Sequence, residues 1–471
     1  MKHKNTRLTR IPHKTHLTYP SVPLSPNIIT QALETPHGRA AYTIVETLLD
    51  AGYEAWWVGG CVRDMWLGKL PYEIDIATNA PPHEVQKLFP KNKDIGKAFG
   101  SIIVQLQRVN IEVTTFREDD EVSDGRHPES VVFGTREKDA ARRDLTINAL
   151  YWNPISSELY DPFNGEADLK EKLINFIGDP AIRIKHDALR MLRAVRFRAT
   201  LDGQYHPDTY RALQELASMS EVLSASRQLQ ELEKMLLCPN PARALEDLWE
   251  LGILKYILPE LYACKGIAQP KDYHHEGDVW EHSLQCVRSF KDEQGIDVRI
   301  AALFHDCGKA ETFSLKERIR FDHHATVSAQ LTAKAMTRLQ MPRKRIEKLS
   351  WLIDHHMMMG SFADMNDERK AHWYFHPWFP ELLQIFWLDI AGTTPSEFKL
   401  YDAIVTDYNR FLNSHPKPPK ALLSGNDIIE LLGIKPGAKV GELMQKLLDA
   451  QIRKEVTTKQ EAKDFLVKKT S

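Results

Sequence analysis

A chain of 471 residues with 42% hydrophobic content can bury several cores, which excludes a single-domain reading and suggests about three domains. Acidic and basic residues nearly cancel, 64 against 62, so net charge neither supports nor excludes RNA, and any such contact must come from local patches. Five scattered cysteines (Cys61, Cys238, Cys264, Cys286, Cys307) lack CxxC spacing, which excludes a disulfide framework and fits packing roles in a reducing cytoplasm.

Residues 1–36 read as a basic, flexible segment, with Lys2, Lys4, Arg7, Arg10 and Lys14 ahead of the first acid, Glu34. It holds no apolar core of signal-peptide length, and nowhere does the chain reach the ~20 apolar residues that span a bilayer, so no membrane is expected. From 37 to 178 helix and strand alternate: a helix over 40–51, a strand over 55–58, a helix over 82–88, and strands over 101–106 and 111–116. The first strand (Trp56, Trp57, Val58) runs into Gly59, Gly60, Cys61, Val62, Arg63 and Asp64, and Glu73 and Asp75 follow. Paired glycines let backbone N–H groups approach a polyphosphate, and alternating carboxylates supply hard oxygen ligands for Mg²⁺. Two apart on a strand, Glu73 and Asp75 share a face while Ile74 and Ile76 pack behind, which suits a metal clamp for phosphoryl chemistry. Taken alone, the pattern is also that of a Gly-Gly turn beside a solvated strand edge. Glu112 reads as a solvated strand residue rather than a further ligand.

Between 116 and 131 the chain is too polar for a core and reads as a mobile loop, carrying Asp124, Gly125, Arg126, His127 and Pro128. Arg142, Arg143, Asp144 and Asn148 come next, then Asp161-Pro162-Phe163-Asn164-Gly165. From 179 strands nearly vanish. Asp187 and Arg190, three apart on a predicted helix, sit side by side, and Arg193 and Arg196 continue that face. In isolation such a pair is a surface ion pair worth ~0.3–0.5 kcal/mol. A histidine block follows: His282, the adjacent His305 and Asp306, the doublets His323-His324 and His355-His356, and Asp389. Histidine and aspartate with open coordination positions suit a divalent transition metal and metal-activated water. The fold class is therefore α+β: a mixed-sheet head (37–178), a helical neck or body (179–262), a helical domain holding the histidines (263–400) and a helical tail (401–471).

In this order the motifs over 55–200 resemble the class II tRNA nucleotidyltransferases, the CCA-adding enzymes, and their relatives the bacterial poly(A) polymerases. The block from His282 to Asp389 resembles an HD domain, a helical metal-dependent phosphohydrolase fold. The resemblance implies template-independent addition of CCA to tRNA 3′ ends from CTP and ATP, with pyrophosphate leaving. Glu73 and Asp75 would hold catalytic Mg²⁺; Gly59, Gly60 and Arg63 would hold the triphosphate with Arg142 or Arg143; Asp144 and Asn148 would shape the ribose pocket, braced by Asp161. Asp187 and Arg190 would read the base, with Arg193 and Arg196 completing the nucleotide set. Cytosine and adenine both present an exocyclic amine beside an unprotonated ring nitrogen, whereas uracil and guanine reverse the pattern. A carboxylate only accepts and a guanidinium only donates, so the pair complements C and A. In the HD block the implied ligands are His282, His305, Asp306, His324, His356 and Asp389, for Ni²⁺, Mn²⁺ or Fe²⁺; His324 and His356 fit the spacing better than His323 and His355. The implied partners are tRNA, CTP and ATP, with no DNA, in the cytoplasm, and the oligomeric state stays open.

Two positions depart from the family pattern: Glu73 stands where most members carry Asp, and His186 where most carry Glu. By the same resemblance, the run Gly96-Lys97-Ala98-Phe99-Gly100-Ser101 favours CCA addition over poly(A) tailing, and the complete loop at Asp124 favours full CCA over CC-only addition. The alternatives are a poly(A) polymerase, an HD phosphohydrolase whose transferase head is impaired, and an RNA-binding protein without catalysis.

Overall fold

The computed structural model describes residues 24–96, 100–118, 132–270, 274–315, 317–415, 420–452 and 455–470. Lys97, Ala98 and Phe99, the loop residues Asp124 to Pro128 and most of the basic segment lie outside the described residues. The chain divides into two compact units, Met1–Arg190 with Leu201–Leu213, and Met191–Thr200 with Gln214–Ser471.

In the first unit, Thr35 and Pro36 start a helix (Pro36–Asp50) four residues before the expected 40. Thr35 Oγ1 accepts from Gly38 N at 2.9 Å, and proline sits where a backbone N–H would have no helical partner. Its apolar face (Ile44, Val45, Leu48) covers a seven-stranded sheet. The strands are β1 (Ala55–Val58), β2 (Asp75–Thr78), β3 (Asn92–Gly96), β4 (Ser101–Leu106), β5 (Val109–Thr115), then, after a separate pair β6 (Arg117–Glu118) and β7 (Val132–Phe133), β8 (Tyr151–Trp152) and β9 (Leu159–Tyr160). The sheet order is β3-β4-β5-β2-β1-β8-β9, antiparallel throughout except for β2 with β5. β1 is buried along its whole length, and Trp57 meets its cross-strand partner Trp152 edge-on at 5.2 Å.

β2 opens at Asp75, so Glu73 precedes the ladder instead of sharing the strand. The last pair of β1 with β2 is Val58 with Asp75, because β1 stops where Gly59 turns away with φ of 69°. The alternation of exposure nonetheless runs through: Glu73 and Asp75 are exposed, while Ile74 and Ile76 are buried.

Among the described residues the second unit is helical apart from a hairpin, Phe313–Leu315 with Ile319–Phe321. Helices Val279–Arg288, Ile296–Phe304, His324–Arg338, Arg343–His355 and Phe379–Gly392 pack together around Leu303, Phe304, Leu352, Ile353 and Leu388, all fully buried. Helices Gly425–Leu432, Ala438–Ile452 and Lys459–Thr470 close over a separate core that includes Leu423, Ile428, Leu447 and Leu466. A capping box of Ser424 with Asp427 opens the first of them, and left-handed Gly433 ends it. No helix of the described residues is long and apolar enough to cross a membrane.

Candidate functional site

In the first unit the turn after β1 admits only glycine at 59: its φ is left-handed, and a Cβ there would meet Arg143 Nη1 at 2.9 Å. The helix Gly60–Trp66 carries Arg63, whose Nη1 donates to Asn148 Oδ1 at 2.6 Å; Asn148 Nδ2 donates in turn to Asp144 Oδ1 at 3.1 Å. Asp161 accepts from Gly165 N at 2.8 Å and Glu166 N at 2.9 Å, fastening the start of helix Gly165–Lys170.

Pairing of β2 with β5 sets Asp75 beside Glu112, and both line a cleft of about 210 Å³ with Arg117, Arg142 and Arg143. Glu112 is an exposed strand residue, as the sequence implied, and its pairing also makes it a further carboxylate next to Asp75. Asp75 keeps part of its surface open, yet the cleft walls strip hydration from its carboxylate and Glu112 adds like charge; against the pull of Arg143 these push its pKa up to about 6. Across the cleft, burial and then the like charge of Arg142 bring Arg117 down to about 10. An acidic edge thus faces a guanidinium edge. Hard oxygens on one side and three arginines on the other fit a divalent cation with a polyphosphate.

Asp139, not singled out in the sequence, organises the arginines. Its buried carboxylate takes Arg142 Nη2 at 2.7 Å, Arg143 Nη2 at 3.3 Å, the Tyr151 hydroxyl at 2.6 Å and Arg117 N at 3.2 Å. Burial would raise its pKa, but Arg143 and Arg142 hold it below the usual range. Helical spacing of three and four was the available signal. Asp139→Ala removes the counter-charge from both guanidiniums, and a loss of about 3–5 kcal/mol in urea unfolding is expected.

Asp187 and Arg190 do not share one helix. Asp187 is extended (φ −153°, ψ 104°) between helices Pro180–His186 and Leu189–Leu201, because its Oδ1 takes the Leu189 N–H at 3.1 Å and competes with helical bonding. Arg190 donates to Arg183 O at 3.0 Å and to Arg142 O at 3.3 Å, and Arg183 donates to Arg143 O at 2.8 Å. Of the base-reading pair, Arg190 is therefore bonded to the Arg142 backbone, and Asp187 to the Leu189 backbone. Arg193 and Arg196 belong to the second unit, where both flank the Phe197 ring and Arg196 Nε binds buried Glu231 at 2.7 Å.

Also in the second unit, five helices bring the six HD-type residues together. His282 Nε2 lies 3.3 Å from His305 Nε2 and 3.1 Å from Asp389 Oδ1; Asp306 lies 3.4 Å from His305, 3.3 Å from His324 and 3.8 Å from His356. Each imidazole directs Nδ1 at an acceptor: Glu276 for His282, and the carbonyls of Ala302, Phe321 and Ile353 for His305, His324 and His356. Nδ1 therefore carries the hydrogen of each neutral ring and Nε2 offers its lone pair inward, the arrangement of metal-ligating histidines. His324 Nε2 is buried without a hydrogen-bond partner, and two Nε2 atoms facing one another at 3.3 Å call for a cation, a proton or a metal ion, between them. Burial alone would lower the His305 pKa, but Asp306 and Asp389 raise it to about 10, so the pocket favours positive charge and a binding metal would displace a proton there. A donor set of this kind fits a divalent transition metal. His355 stacks on Trp351 at 4.6 Å instead, and His323 precedes its helix in a left-handed turn.

Sequence reasoning missed Lys309, buried with its Nζ 2.6 Å from Asp306 and 2.8 Å from Gln269, and also Glu276, which receives both His282 and His274. Burial would raise the Glu276 carboxyl; its hydrogen bonds from His282 and His274 hold it at about 2. The spacing of Lys309, three beyond Asp306, was a usable signal.

Residues 55–175 match the family model of the Poly A polymerase head domain, 204–264 that of a probable RNA and SrmB-binding site of polymerase A, and 273–403 that of the HD domain. Both transferases with this head and HD proteins generally use divalent metals. The CCA-adding enzyme of Geobacillus sp. (strain WCH70) is 41% identical over 220 residues, 46% of this chain and 54% of that protein. Poly(A) polymerase I of Haemophilus influenzae is 37% identical over 238 residues, 48% and 52%. The chain spans about half the length of the curated relatives it matches. The crystal structure of the Bacillus stearothermophilus CCA-adding enzyme in complex with CTP superposes with a TM-score of 0.68 at 27% identity, over 93% of this chain and 98% of that one. The Thermotoga maritima CCA-adding enzyme complexed with tRNA shares the fold, with a TM-score of 0.57 at 19% identity over 94% and 98%.

Proposed function

We infer that this chain, a member of the family of CCA-adding enzymes and bacterial poly(A) polymerases with an HD domain, adds CCA to tRNA 3′ ends in the cytoplasm, without a template, from CTP and ATP. The observation that carries this reading is the cleft in which Asp75 and Glu112 face Arg117, Arg142 and Arg143. Glu73, Asp75 and Glu112 are the residues that would hold Mg²⁺, which when bound supplies charge neutralisation around the reacting phosphate. Gly59 and Gly60 keep side chains away from the triphosphate, and Arg63, Arg142 and Arg143 grip its oxygens. The RNA 3′-hydroxyl attacks the α-phosphate, and the guanidiniums stabilise the departing pyrophosphate. Asp144 and Asn148, bonded to each other and through Asn148 to Arg63, form the ribose side of the pocket. Asp187 accepts from the amine of C or A while Arg190 donates to the ring nitrogen. In domain terms, 37–178 is the catalytic head, 179–262 the neck and RNA-binding body, 263–400 the HD domain and 401–471 the tail.

Extension of tRNA lacking CCA, with each nucleotide triphosphate supplied singly and together, tests the reading. The expected product is CCA and nothing longer. A growing AMP tail means a poly(A) polymerase, and no incorporation at all means the head is impaired. Asp187→Ala is expected to lower the preference for CTP over UTP by on the order of a hundredfold, measured as the ratio of kcat/KM.

The inward-facing Nε2 atoms favour a second activity, hydrolysis of phosphate esters in the HD domain with Ni²⁺, Mn²⁺ or Fe²⁺. Such a cation, when bound, activates water. Lys309, held on Asp306, supplies positive charge to an incoming phosphate.

A further inference from the structure

His282 and Cys286 lie one helical turn apart on Val279–Arg288, and both are fully buried. Cys286 Sγ is 3.7 Å from His282 Nε2, His282 Nε2 is 3.3 Å from His305 Nε2, and the three donor atoms all fall within 4.8 Å of one another. Tetrahedral coordination, with bonds of about 2.05 Å to imidazole and about 2.3 Å to thiolate, places two nitrogens about 3.3 Å apart and a nitrogen and a sulfur about 3.6 Å apart. The two spacings that involve His282 are those of such a site, and the third lies within 4.8 Å. Three other thiols are satisfied differently: Cys61, Cys264 and Cys307 point at backbone carbonyls of Val58, Glu260 and Ser328, whereas Cys286 points at a ligating nitrogen. Room for the sulfur comes from Gly392 on the facing helix Phe379–Gly392, where a Cβ would stand 2.3 Å from Cys286 Sγ.

We propose that His282, Cys286 and His305 form a thiolate-containing ligand set for a thiophilic divalent cation of the zinc class, overlapping the HD set and competing with it for the two histidines. The proposal rests on the reading that this pocket binds metal. On binding, the thiol proton leaves to solvent and the sulfur lone pair makes the new bond. Two donor sets sharing two ligands cannot be filled together. A soft ion is drawn to the sulfur and a hard one to Asp306 and Asp389, so the metal chosen decides which set is assembled.

Titration of the metal-free full chain with Co²⁺ tests this by spectroscopy, independent of activity. The expected result is a near-ultraviolet sulfur-to-cobalt charge-transfer band, lost in Cys286→Ser and kept in Cys61→Ser and Cys307→Ser. Zn²⁺ affinity, read by chelator competition, is expected to fall at least ~10-fold in Cys286→Ser. Co²⁺ bound with ligand-field bands but no charge-transfer band overturns the proposal and leaves the HD metal reading standing. A band that persists in Cys286→Ser overturns it too. No Co²⁺ binding at all overturns both. Should Cys286→Ser not fold, the serine variants of the other four cysteines decide, since a band kept in all of Cys61→Ser, Cys238→Ser, Cys264→Ser and Cys307→Ser has Cys286 as its source and a band lost in one of them overturns the proposal.

Discussion

Asp75→Asn is expected to lose nucleotide addition by on the order of a thousandfold or more while its unfolding midpoint holds or rises. A cation acting on a reacting phosphate contributes several kcal/mol, and about 4 kcal/mol of barrier is a factor of about a thousand. Asn keeps the shape and one acceptor oxygen but removes the charge that draws the cation. Stability moves the other way because the folded protein disfavours this charge: the pKa of Asp75 stands at about 6, above the ordinary carboxyl value of 3.8, so ionisation at neutral pH works against folding. The same shift sets the pH response of the wild type. Protons compete with the cation for this carboxylate, so at limiting Mg²⁺ single-turnover addition to tRNA is expected to fall as pH drops through about 6, and raising Mg²⁺ is expected to move that fall to lower pH. Full addition by Asp75→Asn, or a pH profile that does not move with Mg²⁺, would remove the metal role.

Asp306→Asn is expected to cut metal affinity in the HD domain at least a hundredfold, and phosphate-ester hydrolysis with it. Among the described residues no other carboxylate there meets so many partners: His305, His324, His356 and Lys309 all converge on its two oxygens. Without that charge the imidazole lone pairs face one another with no anion to offset a divalent ion, and Lys309 loses the partner that burial requires. Metal content by elemental analysis and phosphate release from a simple diester measure the two losses. CCA addition by the same variant tells whether the effect stays within the HD domain.

Much of the head was legible in the sequence because local chemistry decided it. The strands at 55–58 and 101–106 and the helix at 82–88 stand where apolar spacing and flanking Gly and Pro put them. What was not legible depended on partners distant in the chain. Glu73 reads as a strand residue by alternation, but a ladder needs a neighbour, and β1 has already turned away at Gly59. Glu112 gains its meaning only from the parallel pairing that sets it beside Asp75. Asp187 carries the right chemistry in the wrong local geometry, since its own side chain interrupts the helix that its spacing implied. In the histidine block the doublets were resolved by resemblance; Lys309 and Cys286 were marked only by their spacing from Asp306 and His282, and that spacing gains meaning once helices Val279–Arg288, Ile296–Phe304 and Phe379–Gly392 pack and bring His282, His305 and Asp389 together.

The peptide of Arg142 serves two masters. Its side chain, clamped by Asp139, lines the cleft, and its carbonyl receives both Arg190 and Arg183. Displacing Arg190 would therefore slacken the strut behind the Arg142 guanidinium at the cleft wall, so a disturbance at one end of this relay is felt at the other.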